Sequence, residues 1–450
     1  MDYAERLEQV AVLGAAGKMG SGIVLLTSLE MADLSLRPEH RAKTFVLHAV
    51  DISHEALSGL VKYLREQARK AAEKRVVELR KVYADRVDLV SNADIVEQYV
   101  ADVLDIVRPT TVLAAAAEAR VIFEAAPEDL SLKLKLFAPT ATDNPAEPWV
   151  FTNTSSIPIA ELDERARLGG RIMGFHFYNP PAVQKLVELI PARTTRPEVA
   201  EFASVLARNL RKTVVPSRDV AGFIGNGHFM RDLLHAVSEV ERLEGRMRFV
   251  EAVYTINRVS QDFLVRPMGI FQLIDYVGLD VCQCILRVMD ARLPGELLHS
   301  PLIDRLLEAG VKGGQNHDGS QKDGFFHYEQ GKPVAAHDPG TSRYVPFAEF
   351  QAACAQYLGP LPEPALPWKA AVRHPSKDQA LADFFQRLAQ LDTPGADLAE
   401  RYGNRSREIG ERLVADGVAH SAADVNQVLL TGFFHAYGPI NDYFALGVKR

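Results

Sequence analysis

Cysteine is scarce in this chain. There are three in 450 residues, Cys282, Cys284 and Cys354. An odd count without ligand spacing argues against a disulfide framework and against a zinc site. It fits a reducing compartment, so the expected location is cytoplasmic, the expected metal content is none, and the three thiols read as packing residues. Long apolar runs are also lacking. The best, Thr111 to Pro127, is interrupted by Glu118, Arg120 and Glu124, so no membrane insertion is expected. The opening MDYAERLEQV has three acids and leads into a strand, which is not the pattern of a signal peptide. Nor is there an excess of positive charge. The net charge is -7 and no basic stripe stands out, which argues against nucleic acid as a partner. What remains is ordinary globular composition, 47% hydrophobic and 24% charged, in a chain long enough for about three domains.

Near the N-terminus, Val10-Ala11-Val12-Leu13 reads as a short buried strand. It runs into Gly14-Ala15-Ala16-Gly17-Lys18-Met19-Gly20-Ser21-Gly22 and then an apolar helical stretch. A strand, a glycine turn and a helix N-terminus form a cradle for a diphosphate, because the backbone can approach closely and the helix end favours negative charge. The spacing, G-x-x-G-x-x-G, has one residue more than G-x-G-x-x-G. A simple glycine-rich turn is the minority alternative. A second strand, Phe45 to Val50, ends on Asp51, placed to bind a ribose diol and so to select NAD. The wide interval before Asp51 comes from Met31–Thr44, read as a surface insertion. Residues His54 to Val107 read as charged helices rich in Arg65, Arg69, Lys70, Lys74, Arg75, Arg80 and Lys81. A solvated hairpin is the simpler reading; contact with phosphates of a large substrate is the functional one.

The strand Arg120–Glu124 leads through Ala125-Ala126-Pro127 into a helix expected to start at the proline. Glu128 then faces the cofactor or serves as a first-turn acid on the helix dipole. The stretch from Phe151 to Ile190 carries the chemistry. Asn153-Thr154-Ser155-Ser156 follows one strand, His176 ends the next, Asn179-Pro180-Pro181 turns the chain, and Glu188 lies twelve residues beyond the histidine. Imidazole titrates near neutrality and can take a proton from an alcohol. A carboxylate on its other nitrogen fixes the tautomer, and a serine hydroxyl holds the substrate oxygen. Taken alone, these residues slightly favour a hydrogen-bonded core histidine and an acid on a solvated face. Beyond Asp219, Gly222-Phe223-Ile224-Gly225-Asn226 opens a long helical region, where Asn226 either holds a carbonyl or ties helices together. Residues 331–375 are proline-rich and read as a linker. A helical pattern resumes from Asp378, and Ala423 through Tyr443 faintly repeats Val250 through Tyr276.

Taken in order, VIFEAAPEDL, NTSS, GFHFYNP with KLVELI, GFIGN and RPMGIFQLIDYVGLD resemble the L-3-hydroxyacyl-CoA dehydrogenase family over residues 9 to about 330, more faintly over 376–450. The resemblance implies an α/β chain. A Rossmann-like NAD-binding domain with a parallel sheet occupies residues 1–218, and all-α C-terminal domains follow. These are the helical dehydrogenase domain at 219–330, a linker at 331–375, and a second helical unit at 376–450. It implies His176 as base, Glu188 as its orienting acid, Ser155 at the substrate hydroxyl and Asn226 near the thioester. Cofactor contacts fall to Gly14, Gly17, Lys18, Met19, Gly20, Asp51, Glu128 and Lys185. The implied partners are an acyl-CoA substrate and a second copy of the chain, joined through the helical domain; a second helical unit covering the first leaves a monomer open. The alternatives are a dehydrogenase of a free hydroxy acid or sugar acid, and a non-catalytic NAD-binding protein.

Overall fold

The computed structural model describes residues 2–316 and 319–444. The chain divides into two compact units, Met1–Asp219 and Val220–Arg450. In the first, eight strands form one sheet: β1 Gln9–Leu13, β2 Val46–Val50, β3 Val107–Thr110, β4 Val121–Glu124, β5 Trp149–Thr152, β6 Ile172–Phe177, β7 Leu186–Ile190 and β8 Thr213–Pro216, in the order β3-β2-β1-β4-β5-β6-β7-β8. The six strands from β3 to β6 run parallel, and β7 and β8 run the other way. The strand order reverses between β1 and β4, where open sheets of this kind bind ligands beyond their carboxyl ends. β4, β5, β6 and β7 are buried along their whole length, as strands covered on both faces must be. Phe123, Phe151 and Phe175 lean on one another across β4, β5 and β6, with ring centroids 5.6–5.8 Å apart.

Several local expectations need correction. Met31–Thr44 is not a surface insertion throughout. The first helix runs over Lys18–Ser35, and Met31, Ala32 and Leu34 are buried in the core. The extra length is a longer helix plus the exposed turn Pro38–His40. The helix after β4 starts at Leu130, not at Pro127, because Asp129 caps it by accepting the Leu132 amide at 2.7 Å. Glu128 therefore lies outside the helix. The region from His54 breaks into helices His54–Lys74, Val76–Val82 and Asn92–Ile106 and then yields the edge strand β3, whose Pro109 belongs on an edge.

The second unit is helical around Gly225–Glu244, Phe249–Arg258, Ile270–Val277, Leu279–Asp290, Pro394–Ala415 and Ala422–Gly432. Residues 331–375 are not an irregular linker. β9 (Phe326–Glu329), β10 (Lys332–Asp338) and β11 (Arg343–Pro346) form an antiparallel sheet, and the helix Gln351–Leu358 follows. Pro333 is tolerated because the β9–β10 register shifts there. Ala336, Phe350 and Cys354 join the core of the unit. The polar loop expected from Val311 to Tyr328 ends in β9, and its residues 317–318, like the chain end at 445–450, lie outside the described residues. Among the described residues no helix is long and apolar enough to cross a membrane.

One local device is used twice in this unit. Asn257 accepts the amide of Phe271, fourteen residues on, at 3.1 Å. Asn426 likewise accepts the amide of Ile440, fourteen residues on, at 3.0 Å. Each asparagine presses on a glycine, where a Cβ on Gly269 would lie 2.2 Å from Asn257 Oδ1 and one on Gly438 2.2 Å from Asn426 Cγ. Each follows a long helix, Gly225–Glu244 in one copy and Pro394–Ala415 in the other. The long helices meet in a buried polar seam. Arg266 pairs with Asp232 at 2.7 Å, and the His228 imidazole lies 3.1 Å from the Ser406 carbonyl.

Burial depresses His228 to about 4 and pushes His435 and His235 down as well. A histidine lowered in the folded state stabilises fully above its ordinary value near 6.5, and that stability is lost as pH falls toward 4. Urea unfolding followed by circular dichroism is expected to show stability falling on the order of 3 kcal/mol for His228 alone over that window. His228→Gln, which cannot charge, flattens the slope. Equal slopes for both proteins rule out the seam as its source.

Candidate active site

The glycine turn follows β1 directly. Gly14 has φ +77°, and a Cβ there would lie 2.8 Å from the Ala125 carbonyl beyond β4. At Gly20 a Cβ would come within 2.0 Å of the Gly14 oxygen. The turn thus closes only with glycine. Gly17 caps the helix Lys18–Ser35 with no side-chain acceptor and no acid in the first turn, so the helix end is open to an anion. Lys18 stands exposed in that first turn, and Met19 packs on the core. Asp51, just beyond β2, accepts the Ala16 amide at 2.9 Å through Oδ2 and the Ile52 amide at 2.8 Å through Oδ1. The acid is therefore tied to the glycine turn, and each oxygen keeps a lone pair. These residues fit a dinucleotide, with its diphosphate at Gly14–Gly20 and its ribose at Asp51.

One strand along from β1, two carboxylates share one lysine. Glu124 ends β4 fully buried. It receives Lys133 Nζ at 2.8 and 2.9 Å, the Thr152 hydroxyl at 2.6 Å and the Ala126 amide at 2.7 Å. Glu128 Oε2 lies 3.5 Å from the same Nζ. Its Oε1 gathers the Asn153–Ser156 turn: it accepts the Thr154 and Ser156 hydroxyls at 2.7 Å each and the Ser155 and Ser156 amides at 3.0 and 2.9 Å. Burial alone would raise the Glu128 carboxyl, but the Lys133 charge and these donors hold it below its ordinary range. Burial would lower Lys133, and the two carboxylates outweigh it.

At the end of β6, His176 lies directly opposite Glu188 in the antiparallel register with β7. Nδ1 is 3.1 Å from Glu188 Oε1. The carboxylate is 0% exposed and the imidazole 7%. Tyr178 donates its hydroxyl to the same Oε1 at 2.7 Å. Asn153 Oδ1 accepts the Phe177 amide at 2.8 Å, which fastens the Ser155 turn to the histidine's strand. The structure thus gathers Gly14, Gly17, Gly20 and Asp51 at one point of the carboxyl edge. Along the same edge it joins Glu128 to Ser155, and His176 to Glu188. Lys185 heads β7, exposed and four strands along from β1. Asn226 lies in the second unit, half-buried in the first turn of the helix Gly225–Glu244. Glu124, Lys133, Thr152, Asn153 and Tyr178 were not identified as site residues from the sequence. The signal for Lys133 was a lysine on the inner face of LSLKLKLF, where the other inner positions are apolar.

A parallel sheet with a dinucleotide cradle at its switch point, and a buried histidine–carboxylate pair on the same edge, define an NAD-dependent oxidoreductase. Residues 9–220 match the family model for the 3-hydroxyacyl-CoA dehydrogenase NAD binding domain, and residues 222–323 that for its C-terminal domain. A probable 3-hydroxybutyryl-CoA dehydrogenase of Bacillus subtilis is 29% identical over 327 residues, 72% of this chain and 98% of the relative. Another from Deinococcus radiodurans is 32% identical over 214 residues, 47% of this chain and 75% of the relative. The crystal structure of 3-hydroxybutyryl-CoA dehydrogenase from Escherichia coli shares the fold, with a TM-score of 0.62 and 22% identity over 96% of this chain and 90% of that one. The chain belongs to the 3-hydroxyacyl-CoA dehydrogenase family.

Lys133→Met leaves the buried Glu124 and the part-buried Glu128 without their cation. It is expected to lower stability by about 3–5 kcal/mol in urea unfolding. A loss below about 1 kcal/mol would show that the lysine does not hold the pair together.

Proposed function

We propose that this protein interconverts a 3-hydroxyacyl-CoA and its 3-oxoacyl-CoA with NAD, as a step of fatty-acid β-oxidation. The observation that carries the reading is the buried His176–Glu188 pair, 3.1 Å apart, on the sheet edge that also bears the glycine cradle. NAD, when bound, supplies the hydride acceptor. His176 takes the proton from the 3-hydroxyl. Its Nδ1 is committed to Glu188, so the tautomer presents Nε2 as the base, and the carboxylate stabilises the imidazolium that forms. In the reverse direction protonated His176 polarises the ketone. The Ser155 hydroxyl orients the substrate oxygen, and Glu128 fixes the Ser155 amide beneath it. Asn226 contacts the substrate near its thioester. Gly14, Gly17, Lys18, Met19 and Gly20 hold the diphosphate, Asp51 the ribose, and Glu128 and Lys185 line the cofactor. Holding reactants in line is the larger contribution, roughly 7–11 kcal/mol for well-oriented groups.

Of the cations after Asp51, Arg69 is spent on Glu97 at 2.8 Å and Arg75 on Asp33 at 2.9 Å. Arg65, Lys70, Lys74 and Lys81 stay exposed, and we assign these to the CoA phosphates. The protein works in the cytoplasm. It is a homodimer through its helical domain, unless the second helical copy takes the partner's place and leaves a monomer.

Acetoacetyl-CoA and NADH with the purified protein are expected to give loss of NADH absorbance, cut by about 10²–10⁴ in His176→Ala. Reduction of free acetoacetate but not of its CoA ester would overturn the substrate assignment. Unchanged turnover in His176→Ala would overturn the base.

A further inference from the structure

Glu188 Oε1 accepts two hydrogen bonds at once. His176 Nδ1 lies 3.1 Å away and the Tyr178 hydroxyl 2.7 Å away. The two rings lie side by side, centroids 4.9 Å apart and tilted by 42°. His176 lies in the last pleat of β6 and Tyr178 just beyond its end, two residues on, where an extended chain presents both side chains to one face of the sheet, the face on which Glu188 of β7 also lies. We propose that Tyr178 is a positioning residue for the dyad: its hydroxyl fixes the Glu188 carboxylate and takes up part of its charge, so that His176 stays an unprotonated base at lower pH than the pair alone would allow. This rests on the dehydrogenase reading for its catalytic meaning.

The geometry supports the direction. A phenol donating to a carboxylate lowers the charge that oxygen offers to a second donor. Less of it is then available to stabilise an imidazolium. Tyr178 is half-buried, and desolvation of its hydroxyl together with the adjacent Glu188 pushes its phenol well above the ordinary range, so it remains a donor across the working pH. The same bond holds the carboxylate in one rotamer, which a single imidazole contact would not ensure.

Charged groups on the neighbouring elements are held elsewhere. On the helix Ile159–Ala166, Asp163 accepts the Gly170 amide at 2.9 Å, Glu161 lies 3.6 Å from Arg165, and Glu164 is exposed. On the helix Pro197–Asn209, Glu198, Glu201 and Arg208 are exposed. β5 and β8 carry no charged residue. Lys212, before β8, donates to the carbonyls of Pro181 and Gln184. Lys185 heads β7, and Asp219 binds the amides of Ile159 and Ala160.

The test is a pH titration of the His176 ring by NMR with ¹³C-labelled histidine, the resonance assigned by its loss in His176→Gln. Tyr178→Phe is expected to move the midpoint up by roughly half to one pH unit. A fluorotyrosine at position 178, a stronger donor in the same shape, moves it down. In a Glu188→Gln background Tyr178→Phe has little effect, because the phenol acts through that carboxylate. The acidic limb of kcat/KM for 3-hydroxybutyryl-CoA oxidation shifts with the NMR midpoint. A midpoint that stays put or falls in Tyr178→Phe overturns the proposal, even if kcat drops. The NMR midpoint needs no turnover. Absence of wild-type activity would therefore sink the dehydrogenase reading separately, leaving the positioning claim to be decided by the titration.

Discussion

The reversal of β7 is the constraint on which the site depends. In the register of β6 and β7, His176 faces Glu188 directly. Cross-strand neighbours stand about 4.5–5.5 Å apart at Cβ, which leaves room for one hydrogen bond between an imidazole and a carboxylate. A slip of one residue would turn Glu188 to the opposite face of the sheet. The pair is therefore set by backbone hydrogen bonds rather than by a flexible loop. A carboxylate with no exposure would be costly alone. Here His176 and Tyr178 both meet the same carboxylate oxygen, and these contacts make its burial tolerable.

The same economy appears two strands along. Glu124 ends β4, Thr152 ends β5, and the parallel register places them side by side. Lys133, reaching back from the following helix, ties Glu124 to Glu128. Glu128 in turn shapes the turn that carries Ser155. Replacing one group in this chain of contacts leaves another buried without a partner, so cofactor-side and substrate-side residues are expected to respond together rather than add. The cradle at Gly14 is built differently. It relies on the absence of side chains, since a Cβ there would strike the Ala125 carbonyl.

What was legible in the sequence was local. The glycine turn, the hydroxyl cluster and the His176 and Glu188 strands each fit within a few residues of chain, although Glu188 falls in the middle of β7 rather than at its end. What was not legible depended on distant partners. Nothing within a few residues of Lys133 pairs it with Glu124 and Glu128, and nothing near Tyr178 pairs it with Glu188. Of the two readings of Glu128, facing the cofactor or starting the helix, the second fails because Asp129 takes the capping role. Met31 through Ser35 read as part of an insertion because the interval before Asp51 is long, although three of the five are buried. Residues 331–375 read as linker from their prolines, and a register shift at Pro333 absorbs the conflict. The two asparagines that each press on a glycine, Asn257 on Gly269 and Asn426 on Gly438, could not be paired from residue type alone.

The central claim is that Glu188 acts on chemistry through His176 rather than on folding or cofactor binding. The most direct measurement is the kcat for 3-hydroxybutyryl-CoA oxidation in Glu188→Gln, taken with the Kd for NADH in the same preparation. The account predicts kcat lower by about 10²–10⁴, with NADH binding within about twofold of wild type. A kcat within about fivefold of wild type, or a loss explained wholly by weaker NADH binding, would contradict it.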